Sequence, residues 1–423
     1  MKSNILIGFV VLISSTIIAF SQEKPMPPTE RPRVIITAPK PTPSPTPKIV
    51  VATPLPTPKP KTSLITVDDL IKPETVATPP PTFYKPLSLK QIKSKIEEAK
   101  RQMQARPIPT ALTDSFLITD VIRIAFYDYK TAQIDYIVMT KEAFLAKDTE
   151  TTTTTSSGKV VRVKNIRANG VNTPILIIDT ENKAHLPLMV QYPVERDGAF
   201  YEMAFYISTH PGIVTPEVVN AGKIYIRNIL DVARENLRKK SVYISPQVTD
   251  MAERLAIVEH VDHQRFRNEY QLNIFNDIYA LYALNEGQTY RYSVSSAGAG
   301  GMVQMIPATY RLIRSRYYNV NLMPDFVEGM RNHVNAAQAM LLYMQLTWDD
   351  LISNDTVSGA IESGIAKPAE LMSAGYNSNP SKLAGYIRRG GANWKNLIPR
   401  ETKIYLQINE SMDKFVAFNP RTK

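Results

Sequence analysis

The chain has 423 residues, 43% of them hydrophobic and 21% charged, which is enough for two or three domains with buried cores. Its formal charge of +11 suits a polyanionic partner (nucleic acid, anionic lipid or an envelope polymer) without choosing among them. The absence of cysteine excludes disulfides, thiol catalysis, Cys-ligated metals and a lipid-modified N-terminal Cys, and suits an oxidising compartment.

Lys2 provides a positive start, and Ile5 to Phe20 is an unbroken stretch of 16 apolar or small residues. Ala19-Phe20-Ser21 then places small residues two apart, before the polar Gln22-Glu23-Lys24. This pattern predicts a signal peptide over residues 1–21, since a bilayer span needs roughly 20 apolar residues. Left uncleaved, the same segment is an N-terminal anchor; both readings export the rest of the chain. Of the 32 prolines, 18 lie between Pro25 and Pro86. Pro39-Lys40-Pro41-Thr42-Pro43-Ser44-Pro45-Thr46-Pro47 alternates proline with small or polar residues, which fixes φ and keeps the intervening residues extended. Residues 22–86 therefore read as a disordered polyproline spacer with no core of its own.

From Leu87 to Gln104 the sequence predicts a charged helix, closed off by Pro107 and Pro109. The period then changes. Val121–Tyr127, Ile134–Val138, Val160–Val163 and Ile175–Ile178 are short β-branched or aromatic runs, separated by turn residues that include Thr151–Thr155 and Asn169-Gly170. Arg196-Asp197-Gly198 between two such runs signals a hairpin. Ser115 to about Thr209 is thus a small β-rich domain in which no motif carries chemistry. After Pro216 the pattern is helical: Ile224, Ile226, Ile229, Leu230 and Val232 form one broad stripe, and a second helix starts near Asp250 as N-cap. The expected organisation is α+β and multidomain, with a helix plus β-rich accessory region over 87–246 and a compact, mainly α domain over 247–423.

Two segments stand out chemically. In Leu255-Ala256-Ile257-Val258-Glu259-His260, a carboxylate follows an apolar helical run, where desolvation raises its pKa and lets it hold a proton near neutrality. That is the requirement on a general acid. In Ser295-Ser296-Ala297-Gly298-Ala299-Gly300-Gly301-Met302-Val303-Gln304, three glycines within four residues allow close backbone approach to a ligand, and a Gln inside an apolar run calls for a partner. A phosphate-binding loop is the rival, but no Lys-Ser/Thr follows the glycines and no strand precedes them.

Ser295, Gly298, Ala299, Gly301, Gln304, Pro307 and Thr309 match, without a gap, a pattern that resembles the signature of the soluble lytic transglycosylase family, of which goose-type lysozyme is a more distant relative. Ala374-Gly375-Tyr376-Asn377-Ser378-Asn379 and Pro399-Arg400-Glu401-Thr402-Lys403-Ile404-Tyr405 resemble that family's two later segments, in the same order. The resemblance implies a lysozyme-like helical domain with a groove for peptidoglycan glycan strands and Glu259 as the sole acid/base. It implies that Ser295 and Gln304 contact the sugars, with Gly298, Ala299 and Gly301 lining the approach, and that Tyr376 holds Glu259 in position with Asn377 supporting it. No cofactor, metal or nucleic acid is implied, and the compartment is the periplasm or cell envelope. The β-rich region is left as a surface for other envelope proteins.

The chain departs from the family where His260 replaces the serine that follows the catalytic Glu. The stretch from Glu259 to Ser295 is also longer than typical and holds the apolar piece Phe275–Leu284, which either roofs the groove or packs on the domain. Asp262 is the one neighbouring second acid and reads as a helix-surface charge. Glu259-His260-x-x-His263 offers a rival metal reading, with two imidazoles three apart on a helix. A glycan-binding scaffold without chemistry and a hydrolytic muramidase are the remaining alternatives.

Overall fold

The computed structural model describes residues 79–106, 108, 118–147, 149–196, 198–287 and 298–422. The signal segment, most of the proline-rich stretch and Ser295 lie outside the described residues. Residues 77–423 form one compact unit.

The structured part begins inside the stretch whose composition reads as spacer. Strand β1 (Thr82–Phe83) pairs in parallel with Lys183–Ala184, and the Tyr84 ring stacks on Tyr129 at 4.7 Å. Pairing is possible here because Thr82, unlike its proline neighbours, has an amide to donate, and it does so to the Asn182 carbonyl at 3.0 Å. Helix α1 (Leu89–Ala105) follows, with a capping box between Ser88 and Gln91 at its start.

An antiparallel sheet comes next: β2 (Val121–Asp128), β3 (Gln133–Thr140), a short α2 (Lys141–Leu145), β4 (Glu150–Thr154), β5 (Val160–Asn165), β6 (Ile175–Ile178), β7 (Lys183–Arg196) and β8 (Ala199–Tyr206). Its order is β3-β2-β7-β6-β5-β4, with β8 and β1 also on β7. The 14-residue β7 is the spine, since β2, β6, β8 and β1 all pair with it along different parts of its length. Of the threonine run expected as a turn, Thr151–Thr154 belong to strand β4 and each pairs with β5, because β-branched threonines fit a pleated surface, while Thr155 lies in the turn that follows. The hairpin between β7 and β8 turns at Gly198, whose φ is +77°, and the expected Asp197 lies outside the described residues. β2 is buried on both faces. Ile122, Ile124 and Phe126 point into the sheet's own core and Ala125 points toward α1. The buried Arg123 caps the end of α1 through the carbonyls of Met103 (2.6 Å) and Arg106 (2.8 Å).

The remaining elements are helices: α3 (Pro216–Arg238), α4 (Pro246–Val258), α5 (His263–Asn268), α6 (Gln271–Leu284), α7 (Pro307–Arg316), α8 (Phe326–Arg331), α9 (His333–Ile352), α10 (Asp355–Glu362), α11 (Pro368–Asn377), α12 (Leu383–Gly390) and α13 (Arg400–Phe415). In α3 the buried stripe is Val218, Gly222, Ile226, Leu230, Ala233 and Leu237, whereas Ile224 and Val232 are 52% and 47% exposed. The expected stripe is therefore one residue row too wide. α4 starts four residues before Asp250: Ser245 is its N-cap and Pro246 its first residue. Asp250 instead receives Arg421, whose guanidinium also meets Asp231 and Glu253 and clamps the C-terminal tail onto α3 and α4.

α6 decides how the halves meet. It is apolar almost all round, the mark of a helix buried in a core. Ile274, Phe275, Ile278, Tyr279 and Tyr282 join the helical core, while Ala280, Ala283 and Leu284 join the cluster formed with α1, β2 and β7. The piece Phe275–Leu284 thus packs inside and fuses the sheet to the helices. Asn285 completes the joint by exchanging two hydrogen bonds with the Ile207 backbone, at 3.1 and 2.9 Å. Among the described residues no helix is long and apolar enough to cross a membrane.

Candidate active site

Glu259 occupies the C-cap of α4, directly after four buried apolar residues, Leu255 to Val258. The last turn of the helix tightens here. The His260 amide reaches back to the Ile257 carbonyl, so the Ala256 carbonyl loses its usual amide and is taken by the Tyr282 hydroxyl at 2.9 Å. The backbone then breaks, and Asp262 opens α5 as an N-cap, accepting from the amides of Gln264 and Arg265 at 2.9 and 2.8 Å. Asp262 is therefore a cap, a more specific role than the surface charge expected of it. The same break separates His260 from His263, so the two imidazoles do not share a helix face. Among the described residues no group of three or more His, Asp or Glu side chains is placed to hold a metal.

The Glu259 carboxyl is enclosed by elements far apart in sequence. Tyr405, from α13, donates its hydroxyl to Oε1 at 2.5 Å. Burial pushes the carboxyl pKa up to about 8. The Tyr405 hydrogen bond works in the opposite direction by favouring the charged form, and the nearby negative charge of Glu401 adds to the rise. The result is a carboxyl that is protonated at neutral pH and still close enough to its midpoint to give the proton up.

The glycine-rich segment lies across the end of α4. Gly298 and Gly301 both have positive φ, +73° and +71°. At Gly301 a Cβ would stand 2.3 Å from the Met330 carbonyl oxygen, so only glycine allows this loop to press against α8. Ala299 is buried. Gln304 is itself left-handed, at φ +46°, and its side-chain amide donates to the Gly301 carbonyl at 2.9 Å. Tyr376, at the end of α11, gives its hydroxyl to the Val303 carbonyl at 2.6 Å, and its own pKa is raised by burial and by the Glu259 charge. The hydroxyl on the Glu259 carboxyl is thus that of Tyr405, and that of Tyr376 secures the loop. Asn377 accepts from Thr402 Oγ1 at 2.9 Å, which ties α11 to the first turns of α13 and so to the turn that carries Tyr405.

No protein-family model, curated protein or solved structure matches this chain.

The segment that holds Gly298, Ala299, Gly301 and Gln304 is tied to the end of α4 through His260 and to α11 through Tyr376, Asn377 ties α11 to α13, and Ser295 lies outside the described residues. Sequence reasoning missed three contributors. Tyr405 lies within the quoted segment Pro399–Tyr405, yet its spacing from Glu259 carries no periodic signal. Tyr282 sits in the apolar piece Phe275–Leu284, where a tyrosine reads as core. His260 was visible only as a departure from a pattern. Its Nε2 lies 3.1 Å from the Met302 carbonyl, and burial brings its pKa down to about 4.

Proposed function

We propose that the protein is a lytic transglycosylase, which cleaves the β-1,4 bond between N-acetylmuramic acid and N-acetylglucosamine in peptidoglycan and uses no water. In this reading the Glu259 carboxyl gives its proton to the glycosidic oxygen as the C–O bond breaks. The resulting carboxylate then takes the proton of the muramic 6-hydroxyl as that oxygen closes on the anomeric carbon, leaving a 1,6-anhydro end and restoring the acid. The substrate's acetamido group stabilises the positive charge that develops, so a second carboxylate, the usual companion in glycoside hydrolysis, is not required. The observation that carries the proposal is the Glu259 carboxyl, held in its acid form near neutral pH by burial and oriented by Tyr405. The ordered motifs from Ser295 to Tyr405 support it. The corresponding site of action is the periplasm or cell envelope, with peptidoglycan glycan strands as partner and the N-terminal segment as export signal or anchor.

One consequence concerns pH. The acid form is lost as pH rises through the folded pKa, so turnover should decline on a limb centred near pH 8. Tyr405→Phe removes a hydrogen bond that favours the carboxylate, and the limb should move to higher pH, by about half a unit to one unit. Rates of muropeptide release between pH 5 and 10 test this; a limb that stays put or moves down denies Tyr405 the role.

A further inference from the structure

Beside Glu259 lies a cluster of buried and half-buried titratable groups that proton transfer does not use. It is drawn from four helices: Tyr225 of α3, His260 after α4, Tyr282 of α6 and His333, the first residue of α9. The His260 and His333 rings each meet Tyr282 edge-on, at centroid distances of 5.9 and 6.0 Å. One hydrogen position follows from its partner. A carbonyl can only accept, so the His260 Nε2 facing Met302 O carries the proton. The Tyr225 oxygen accepts from the Gly287 amide at 2.6 Å and is hydrogen-bonded to His333 Nδ1 at 2.7 Å. Both imidazoles are neutral, because burial holds their pKa values at about 4 and about 3.

The peptide groups this cluster grips lie on either side of residues 288–297, at Gly287 and Met302. Three consecutive carbonyls of the glycine-rich segment are held by side chains. Gly301 O receives Gln304 at 2.9 Å, Met302 O receives His260 at 3.1 Å with the Tyr282 hydroxyl 3.3 Å away, and Val303 O receives Tyr376 at 2.6 Å. His260 therefore couples the helix end that carries Glu259 to the loop that faces it. The oriented partner of the Glu259 carboxyl is Tyr405.

We infer that His260 is a positioning residue, which fixes the Met302 carbonyl and thereby sets the glycine-rich segment as a preformed wall of the glycan site. The inference rests on the function proposed above. It assigns to this histidine the geometry of binding, and to Tyr405 the tuning of the acid.

The test compares His260→Phe, which keeps the ring and loses the donor, with His260→Gln, whose amide nitrogen can reach the place of Nε2. The substrate is glycan strands solubilised from sacculi. For His260→Phe the expected result is a rise in KM of about tenfold with kcat within about threefold, and an unmoved alkaline limb of the pH profile. His260→Gln should restore KM to within about twofold. Hydrogen exchange at the amides of residues 299–305 should quicken in His260→Phe and not in His260→Gln. Should His260→Phe fail to fold, Tyr282→Phe, which removes the neighbouring hydroxyl from the same carbonyl, is expected to show the same rise in KM at constant kcat. An unchanged KM, a collapse of kcat at constant KM, or a shifted limb overturns the inference. Complete inactivity of the wild-type chain overturns the underlying function instead, and the exchange measurement then decides the role of His260 by itself.

Discussion

Glu259→Gln is expected to lower the release of glycan fragments by about a hundred- to ten-thousandfold, the range for removal of a positioned general acid, while making the protein more stable at alkaline pH. The second effect has its origin in the same burial that tunes the acid. In the unfolded chain a glutamate ionises near its model value of 4.5, whereas the folded protein holds the Glu259 proton to about 8. Between those values the folded state binds the extra proton, so stability falls as pH rises, and below 4.5 the penalty vanishes. Glutamine fills the same space, still accepts from Tyr405, and never ionises. The stability gap in its favour should open across this interval and reach roughly 2–4 kcal/mol above pH 8. Thermal unfolding of both proteins at pH 5, 7 and 9 reads the gap directly. A gap that is constant with pH would mean that the carboxyl is solvated and ionised, and the general-acid assignment would go with it.

The largest structural effect is expected at Gly222→Ala. Alanine improves helix propensity by about 1 kcal/mol, so a solvent-facing position would gain. At Gly222, however, the new Cβ would stand 1.9 Å from the Tyr279 carbonyl oxygen and 2.6 Å from its carbon. Both obstacles are backbone, which has no rotamer to change, so α3 and α6 must move apart. Because α6 is shared between the helical core and the cluster under the sheet, separation loosens both. The steric term outweighs the propensity gain, and a net loss of at least about 3 kcal/mol is expected. Calorimetry of the variant should show a lower transition temperature for the whole unit. A transition equal to or above that of the parent contradicts the close packing of these two helices.

Local chemistry was legible along the chain where it acts through neighbours. The hairpin glycine Gly198, the β-branched run Val160–Val163 and the apolar run before Glu259 are all short-range signals, and each element lies where its residues place it. Assignments that weighed one local cue against another were less secure. Thr151–Thr155 is polar enough for a turn and β-branched enough for a strand, and pairing with β5 makes its first four residues strand and leaves Thr155 to the turn. Asp250 has the right side chain for an N-cap, but Ser245 followed by Pro246 takes that place. Long-range partnerships had no signal at all. Tyr405 lies 146 residues from Glu259 and Tyr376 lies 73 from Val303. The role of Phe275–Leu284 as the joint between sheet and helices depends on two surfaces that only the folded chain creates. The glycine segment was readable as a close-approach loop, yet at Gly301 the close neighbour is the Met330 backbone.

The central claim is that Glu259 cleaves glycan by intramolecular ring closure, and product analysis addresses it most directly. Isolated peptidoglycan sacculi incubated with the wild-type chain and with Glu259→Gln, followed by mass analysis of the soluble muropeptides, separates the possibilities. The account predicts fragments with 1,6-anhydro-muramic ends, 18 mass units below the hydrolytic products because no water is added, from the wild type and not from the variant. Reducing ends in place of anhydro ends, sacculus binding without release, or release that survives Glu259→Gln would contradict it.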